Sequence, residues 1–218
     1  MPVQQWLLDT LFPPKCVFCG TIAEGCFCDR CRSELPFTGE HALVTGEIGM
    51  QIASPLFYAD KVRDSILRYK FSDRFMYAEV YGALMADCAA EHFFGGFDLV
   101  SYIPVSRKRR KERGYDQAAL LAEAMTRRWG MVSHITLQKT VDTPKQSSFH
   151  DIYRRRANVL GVFEAVDPER FHTRRILLVD DIYTTGSTMN EAARTLRLAG
   201  AGEVLGITLA RAQTEKSR

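Results

Sequence analysis

No apolar run in this 218-residue chain approaches the length needed to cross a membrane. The opening residues also lack the basic start and apolar core of a secretory leader, so the chain is expected in a reducing, cytoplasmic compartment. There is no internal repeat and no low-complexity tract, which sets aside repeat architectures and disordered linkers. An excess of either charge is missing too: 29 Lys+Arg stand against 26 Asp+Glu, and a formal net charge of +3 says little about partners. Histidines are few and scattered, and His134, His150 and His172 each read as an ordinary surface or core residue rather than a catalyst. What is present, 46% hydrophobic and 25% charged residues, can bury one full core plus a small satellite.

Cysteine is concentrated in one place. Cys16-Val17-Phe18-Cys19 and Cys28-Asp29-Arg30-Cys31 are two CxxC knuckles joined by a short loop, a spacing that can present four thiolates to a tetrahedral zinc ion. Cys26 is a fifth candidate, but one residue between it and Cys28 suits a shared knuckle poorly, so Cys28 pairs with Cys31 in this reading. A disulfide pair or a redox CxxC are the rivals, and a reducing compartment disfavours the first. The satellite, residues 1–37, could not fold without its metal. Phe18, Phe27 and Phe37 serve either as a mini-core around that metal or as platforms for nucleobases. Cys88, within an Ala-rich stretch, reads as a small buried apolar residue.

The most informative stretch is Ile176-Leu177-Leu178-Val179-Asp180-Asp181-Ile182-Tyr183-Thr184-Thr185-Gly186-Ser187-Thr188. Four apolar residues without a polar break predict a strand covered on both faces, hence a parallel sheet. Ligands of such sheets bind beyond the carboxyl ends of the strands, which is where Asp180 and Asp181 are expected. Beyond them, five small residues leave room for an anion, and backbone N–H groups and hydroxyls can converge on it. Met189, Ala192, Ala193 and Leu196 then recur at helical steps, so the turn opens a helix whose amino end favours phosphate. The alternative is a turn whose polar residues merely cap that helix.

Elsewhere the pattern alternates. Strand character at 52–58 is followed by helical spacing through Val62, Ile66, Leu67 and Tyr69 up to Lys70 and Phe71, and a further helix is expected at 75–94. A central strand at 99–103, a helix at 116–129 and a strand at 134–137 complete a parallel α/β sheet in residues 38–218. Ahead of the cysteines, Trp6, Leu7, Leu8, Leu11 and Phe12 predict a short amphipathic helix. Arg107, Lys108, Arg109, Arg110, Lys111 and Arg113 form a basic loop leaving the 99–103 strand, and Arg154, Arg155 and Arg156 form a second run. The first can reach the same crevice as Asp180 and Asp181, be an ordinary solvated face, or track a nucleic-acid backbone.

The 176–188 stretch resembles the phosphoribosyl pyrophosphate (PRPP) motif of type I phosphoribosyltransferases. That resemblance implies ribose hydroxyls held by Asp180 and Asp181, and the 5-phosphate held by Thr184, Thr185, Gly186, Ser187 and Thr188. It also implies pyrophosphate, with Mg2+, held by the loop after the first core strand, where Arg107, Lys108 and Arg113 are the leading candidates. With the cysteine knuckles, Lys70-Phe71, Lys139, Gln146, Arg155, Asn158, Gly161 and Phe163 added, the whole chain resembles the ComF family, the competence protein F and GntX-like group. The implied architecture is a small N-terminal zinc ribbon on a type I phosphoribosyltransferase-like α/β domain, a parallel sheet flanked by helices. Gln146 falls in the mobile loop that folds over ligand in related transferases.

The family resemblance implies handling of single-stranded DNA in natural transformation, with proteins of the DNA-uptake machinery as partners. Purine-salvage relatives carry a catalytic carboxylate three positions beyond the second acid; here Thr184 stands there, and a hydroxyl cannot take up a proton near neutral pH. Orotate-type enzymes manage without it, so transfer of the sugar phosphate from PRPP to an unknown acceptor, releasing pyrophosphate, is the alternative function.

Overall fold

The computed structural model describes residues 13–23, 26–71, 76–93, 95–140 and 161–213. The expected opening helix, the loop carrying Gln146, His150, the Arg154, Arg155 and Arg156 run, and Asn158 lie outside the described residues.

At the centre are β8 (Arg175–Tyr183) and β9 (Glu203–Arg211), paired in parallel from Arg175↔Glu203 to Tyr183↔Arg211. Ile176, Leu177, Leu178 and Val179 are each 0% exposed. Burial of such side chains stabilises by about 1.5–3 kcal/mol apiece. Around them the sheet runs β1 (Leu43–Thr45), β2 (Gln51–Ala53), β9, β8, β4 (Leu99–Tyr102), β5 (Ser133–His134), with β3 (Leu56–Phe57) also on β9. Within this sheet every pairing is parallel except β1 with β2. The chain moves outward from β4 to β5 and then returns to the other side of β4 as β8. This reversal makes the carboxyl ends of β4 and β8 the crevice in which open parallel sheets bind ligands.

Alternate residues of β8 feed two cores, as the two-residue period of a strand requires. Leu177 and Val179 pack with Val62, Ile66 and Tyr69 of α2 (Asp60–Phe71), Tyr81 and Met85 of α3 (Tyr77–His92), and Leu121 and Met125 of α5 (Gln117–Trp129). Ile176 and Leu178 pack instead with Met189, Ala192 and Leu196 of α6 (Ser187–Leu198) and with Leu137 and Phe163. The last two come from β6 (Leu137–Lys139) and β7 (Phe163–Ala165), a separate antiparallel pair. α3 and α5 approach so closely that a Cβ on Gly82 would lie 2.5 Å from that of Ala124.

The cysteine segment docks on the first of these cores. Val17 and Phe18 are 1% and 2% exposed and share a cluster with Tyr81. The carbonyl of Val17 accepts from the Ser65 hydroxyl and from Arg68 Nη2 (3.1 Å), and that of Phe18 accepts from Arg68 Nη2 (2.8 Å). Helix α2 therefore carries the knuckle on one side and reaches the central sheet on the other.

Several expected elements differ in detail. The basic segment is not a loop: it folds as α4 (Arg107–Arg113), because Ser106 caps its start (3.4 Å to the Arg109 amide) and Gly114 ends it at φ 77°. Pro55 leaves the 52–58 strand split into β2 and β3, since proline has no N–H for the ladder. The 134–137 strand also divides: Ser133 and His134 join β4, while Leu137 belongs to the β6–β7 pair. Strand β8 runs four residues beyond Val179, with Asp180 paired to Thr208 and Tyr183 to Arg211. The two acids thus sit within the last paired residues of the strand rather than after it.

Candidate functional site

Asp180 and Asp181 alternate on the end of β8. Asp180 Oδ1 accepts from the Asp181 amide at 2.8 Å, and Asp181 Oδ2 lies 2.7 Å from Lys70 Nζ, at the end of α2. Burial, and then the charge of Asp181, push the Asp180 carboxyl up to about 8, against the Asp181 amide and the Lys70 ammonium, which favour its ionised form. These surroundings favour the protonated form of Asp180, which can donate a hydrogen bond, while Asp181 stands in an ion pair with Lys70.

The turn that follows has the geometry its composition suggested. Gly186 takes φ 76° and precedes Ser187, the first residue of α6, so the amides of the first turn of α6 face the turn without a capping side chain from Gly186. Thr185 and Ser187 share a hydroxyl hydrogen bond at 2.9 Å, and the Thr185 oxygen also lies 3.5 Å from the Ser187 amide. The Tyr183 ring closes over Gly186: a Cβ there would come within 2.7 Å of the tyrosine oxygen. Thr184 is exposed, and Ser187 and Thr188 are half-buried in the first turn of α6. Two acids, a hydroxyl-lined turn and the N-terminus of a 12-residue helix therefore meet at the switch point.

The segment after β4 is pinned by one carboxylate. Asp116 Oδ2 accepts from the Val105 amide (2.9 Å), and Oδ1 accepts from Ala118 (3.1 Å) and Ala119 (3.3 Å), closing the ends of the excursion that holds α4. Burial raises the Asp116 carboxyl, while these amides favour its charge. Arg107 and Arg110, with Ser106, Asp116 and Lys139, line a cavity of about 460 Å³. Arg113 turns the other way. Its Nη1 donates to Gln117 Oε1 (2.8 Å), its guanidinium lies 5.0 Å from the Phe71 ring centre, and burial lowers its proton affinity against the opposing field of Asp181. Lys108 is exposed on α4 and does not line the cavity. The three cations assigned from the sequence thus point to a cavity, to solvent and to the Lys70–Asp181 pair.

The cysteines converge. The Sγ atoms of Cys16, Cys19, Cys28 and Cys31 all lie within 4.8 Å of one another, with Cys19 and Cys28 3.6 Å apart. That separation is too long for a disulfide, whose bond is about 2.05 Å. It is near the edge of a tetrahedron with ~2.3 Å metal–sulfur bonds. The four thiolates fit a structural zinc ion. Cys28 also caps α1 (Asp29–Glu34), accepting from the Cys31 amide at 3.4 Å. Cys26 stands apart: it takes φ 61° and offers its carbonyl, at 2.9 Å, to the Val17 amide. Phe18 and Phe27 are 2% and 6% exposed, so of the two readings these side chains take the mini-core beside the cysteines, whereas Phe37 is 41% exposed. Cys88 is buried, as expected.

Lys139 and Phe163, matched only by resemblance, lie together in β6 and β7, with the ammonium 5.6 Å from the ring centre. Nearby, Gly161 donates its amide to Glu191 of α6 at 2.6 Å. Sequence reasoning gave Lys70 no role and did not single out Asp116 as a fastener. An acid immediately before a helical pattern is a capping signal that marked Asp116. Lys70 entered only through the resemblance, with no role attached, because its partner Asp181 is distant in the chain.

Among the described residues no helix is long and apolar enough to cross a membrane. A double zinc ribbon domain family model matches residues 7–43. The chain is 29% identical over 194 residues to competence protein F of Haemophilus influenzae, covering 85% of each chain. It is 32% identical over 163 residues to competence protein ComFC of Bacillus subtilis, covering 71% of this chain and 61% of the relative. A solved structure of the allosteric regulatory enzyme of purine biosynthesis overlaps 65% of this chain and 29% of its own length, at 21% identity and a TM-score of 0.40. With its four-cysteine knuckle on a parallel α/β sheet, and its similarity to these competence proteins, the chain belongs to the ComF family.

Proposed function

We propose that this protein binds PRPP or a related ribose phosphate in the crevice at the end of β8 and handles single-stranded DNA during DNA uptake. The observation that carries the first part is the meeting of Asp180 and Asp181 with the Thr184, Thr185, Gly186, Ser187 and Thr188 turn at the N-terminus of α6. In this reading the acids take the ribose hydroxyls and the turn takes the 5-phosphate. Arg107, on the cavity side of α4, is the cation offered to the pyrophosphate, which carries Mg2+ as its counterion, while Arg113 stays beside Asp181. Two units share the work: residues 1–37 as the zinc ribbon and 38–218 as the phosphoribosyltransferase-like domain.

The DNA part is supported by the relatives, which include a DNA utilization protein of Escherichia coli O157:H7, and by the cationic face of α4. Exposed Lys108 and Lys111 can neutralise a phosphate backbone without reading sequence. Proteins of the uptake machinery are the expected partners, in the cytoplasm.

Thermal-shift titration with PRPP, nucleotides and short single strands, each with and without magnesium, tests both parts. Stabilisation by PRPP, lost on joint Asp180→Asn and Asp181→Asn substitution, is expected; indifference to PRPP at millimolar concentration refutes the pocket. Joint Lys108→Glu and Lys111→Glu substitution is expected to weaken single-strand binding and flatten its salt dependence, leaving PRPP binding in place. Acceptor-dependent pyrophosphate release would mark the protein as a transferase instead.

A further inference from the structure

Of two neighbouring carboxyl groups largely removed from water, burial and mutual repulsion favour a proton on one, and the one that stays ionised needs a cation beside it. Here the chain supplies one. Lys70 Nζ lies 2.7 Å from Asp181 Oδ2, with the two side chains only 19% and 15% exposed. The flanking residues of Lys70 are fastened independently. The Tyr69 hydroxyl donates to the Gln117 carbonyl at 2.9 Å, and the Tyr69 carbonyl accepts from the Tyr115 hydroxyl. Tyr69 is itself 0% exposed and packs edge-on against Tyr81, with ring centres 5.4 Å apart. On the other side the Phe71 ring lies under the Arg113 guanidinium. The ammonium is thus delivered by a helix end held on both sides, rather than by a loose surface side chain.

We propose that Lys70 is a positioning residue of the ribose-phosphate site: a built-in cation that aims Asp181 at the sugar hydroxyls and keeps the acid pair from taking up a divalent ion of its own. This rests on the reading of the crevice as a ribose-phosphate site and assigns its charge balance. Asp180 and Asp181 from β8 and Asp116 from the start of α5 are faced by Lys70 from α2 and Arg113 from α4. The acids therefore present oxygen to hydroxyl groups, not to a bare metal. A divalent ion then enters only with a ligand whose own diphosphate holds it. Ribose 5-phosphate, which has no diphosphate, binds without magnesium.

The test uses the zinc-loaded full chain and two variants, Lys70→Met and Lys70→Arg. Calorimetry with ribose 5-phosphate and PRPP, with and without magnesium, is paired with manganese titration followed by electron paramagnetic resonance in the absence of sugar phosphate. Lys70→Met is expected to lose about tenfold or more in ribose 5-phosphate affinity and to gain a bound-manganese signal that Asp181→Asn abolishes. Lys70→Arg is expected to restore affinity in part and to bind no manganese. Either an unchanged affinity or an unchanged manganese spectrum in Lys70→Met overturns the role of Lys70 alone. Failure of the parent protein to bind either sugar phosphate overturns the ribose-phosphate reading, and this proposal with it.

Discussion

Arg68 Nη2 donates to the Phe18 carbonyl at 2.8 Å, so the turn between the first two cysteines hangs on a helix of the main sheet. The same nitrogen reaches the Val17 carbonyl at 3.1 Å. Arg68→Ala leaves two knuckle carbonyls without a charged donor, at a cost of about 1.5–3 kcal/mol. Urea unfolding checks the stability, and competition with a chromophoric chelator is expected to show faster zinc loss than in the parent.

Removing the zinc has a wider effect. Cys16 and Cys31 are 0% exposed, and Val17, Phe18 and Phe27 belong to the core that also holds Leu177 and Val179. Without the ion, four cysteines must separate or be protonated together, and the aromatic side chains above them lose their floor. Chelation, or Cys16→Ser, is expected to lower Tm by several degrees and to raise binding of a hydrophobic dye. An unchanged Tm after full zinc removal would show that the knuckle folds on packing alone.

Asp180 gives stability a definite pH dependence. Its unfolded carboxyl titrates near 4, whereas in the folded protein burial and Asp181 hold the proton to about 8. Between those values the folded state binds the extra proton, so this contribution is fully present below pH ~4 and is lost as pH rises through ~8. Asp180→Asn cannot ionise. Its Tm advantage over the parent is therefore expected to grow from pH 4 to 8 and then level off, and a difference that is flat with pH would refute the assignment.

Gly186→Ala tests the turn. At φ 76° a side chain is strained, by roughly 1 kcal/mol, and the new methyl meets the Tyr183 ring at 2.7 to 3.0 Å. The tyrosine cannot stay where it is. The expected result is a folded protein with a Tm a few degrees lower and a much larger loss of PRPP stabilisation, read by thermal shift at matched ligand concentration. Equal PRPP shifts in the two proteins would remove the turn from the site.

Much of this was legible residue by residue because its causes are local. Two CxxC pairs limit where four sulfurs can go, and the structure brings together Cys16, Cys19, Cys28 and Cys31 while leaving Cys26 aside. An unbroken Ile176, Leu177, Leu178 and Val179 run requires cover on both faces, and Gly186 before a helical pattern requires a turn. The folding of the basic segment into α4 was missed because six cations in seven residues mask the Ser106 cap and Gly114 stop. The role of Phe18 and Phe27 was open because an aromatic beside a metal can face either way.

The sequence by itself determined the zinc donors, the parallel sheet and the place of the acid pair and its turn, since each follows from short-range spacing, alternation or backbone freedom. Tertiary structure alone decided that Lys70 meets Asp181, that Arg107 and Arg113 diverge and that the knuckle rests on Arg68. These are contacts between segments far apart in the chain, set by which helix packs where on the sheet, and no local pattern encodes that choice.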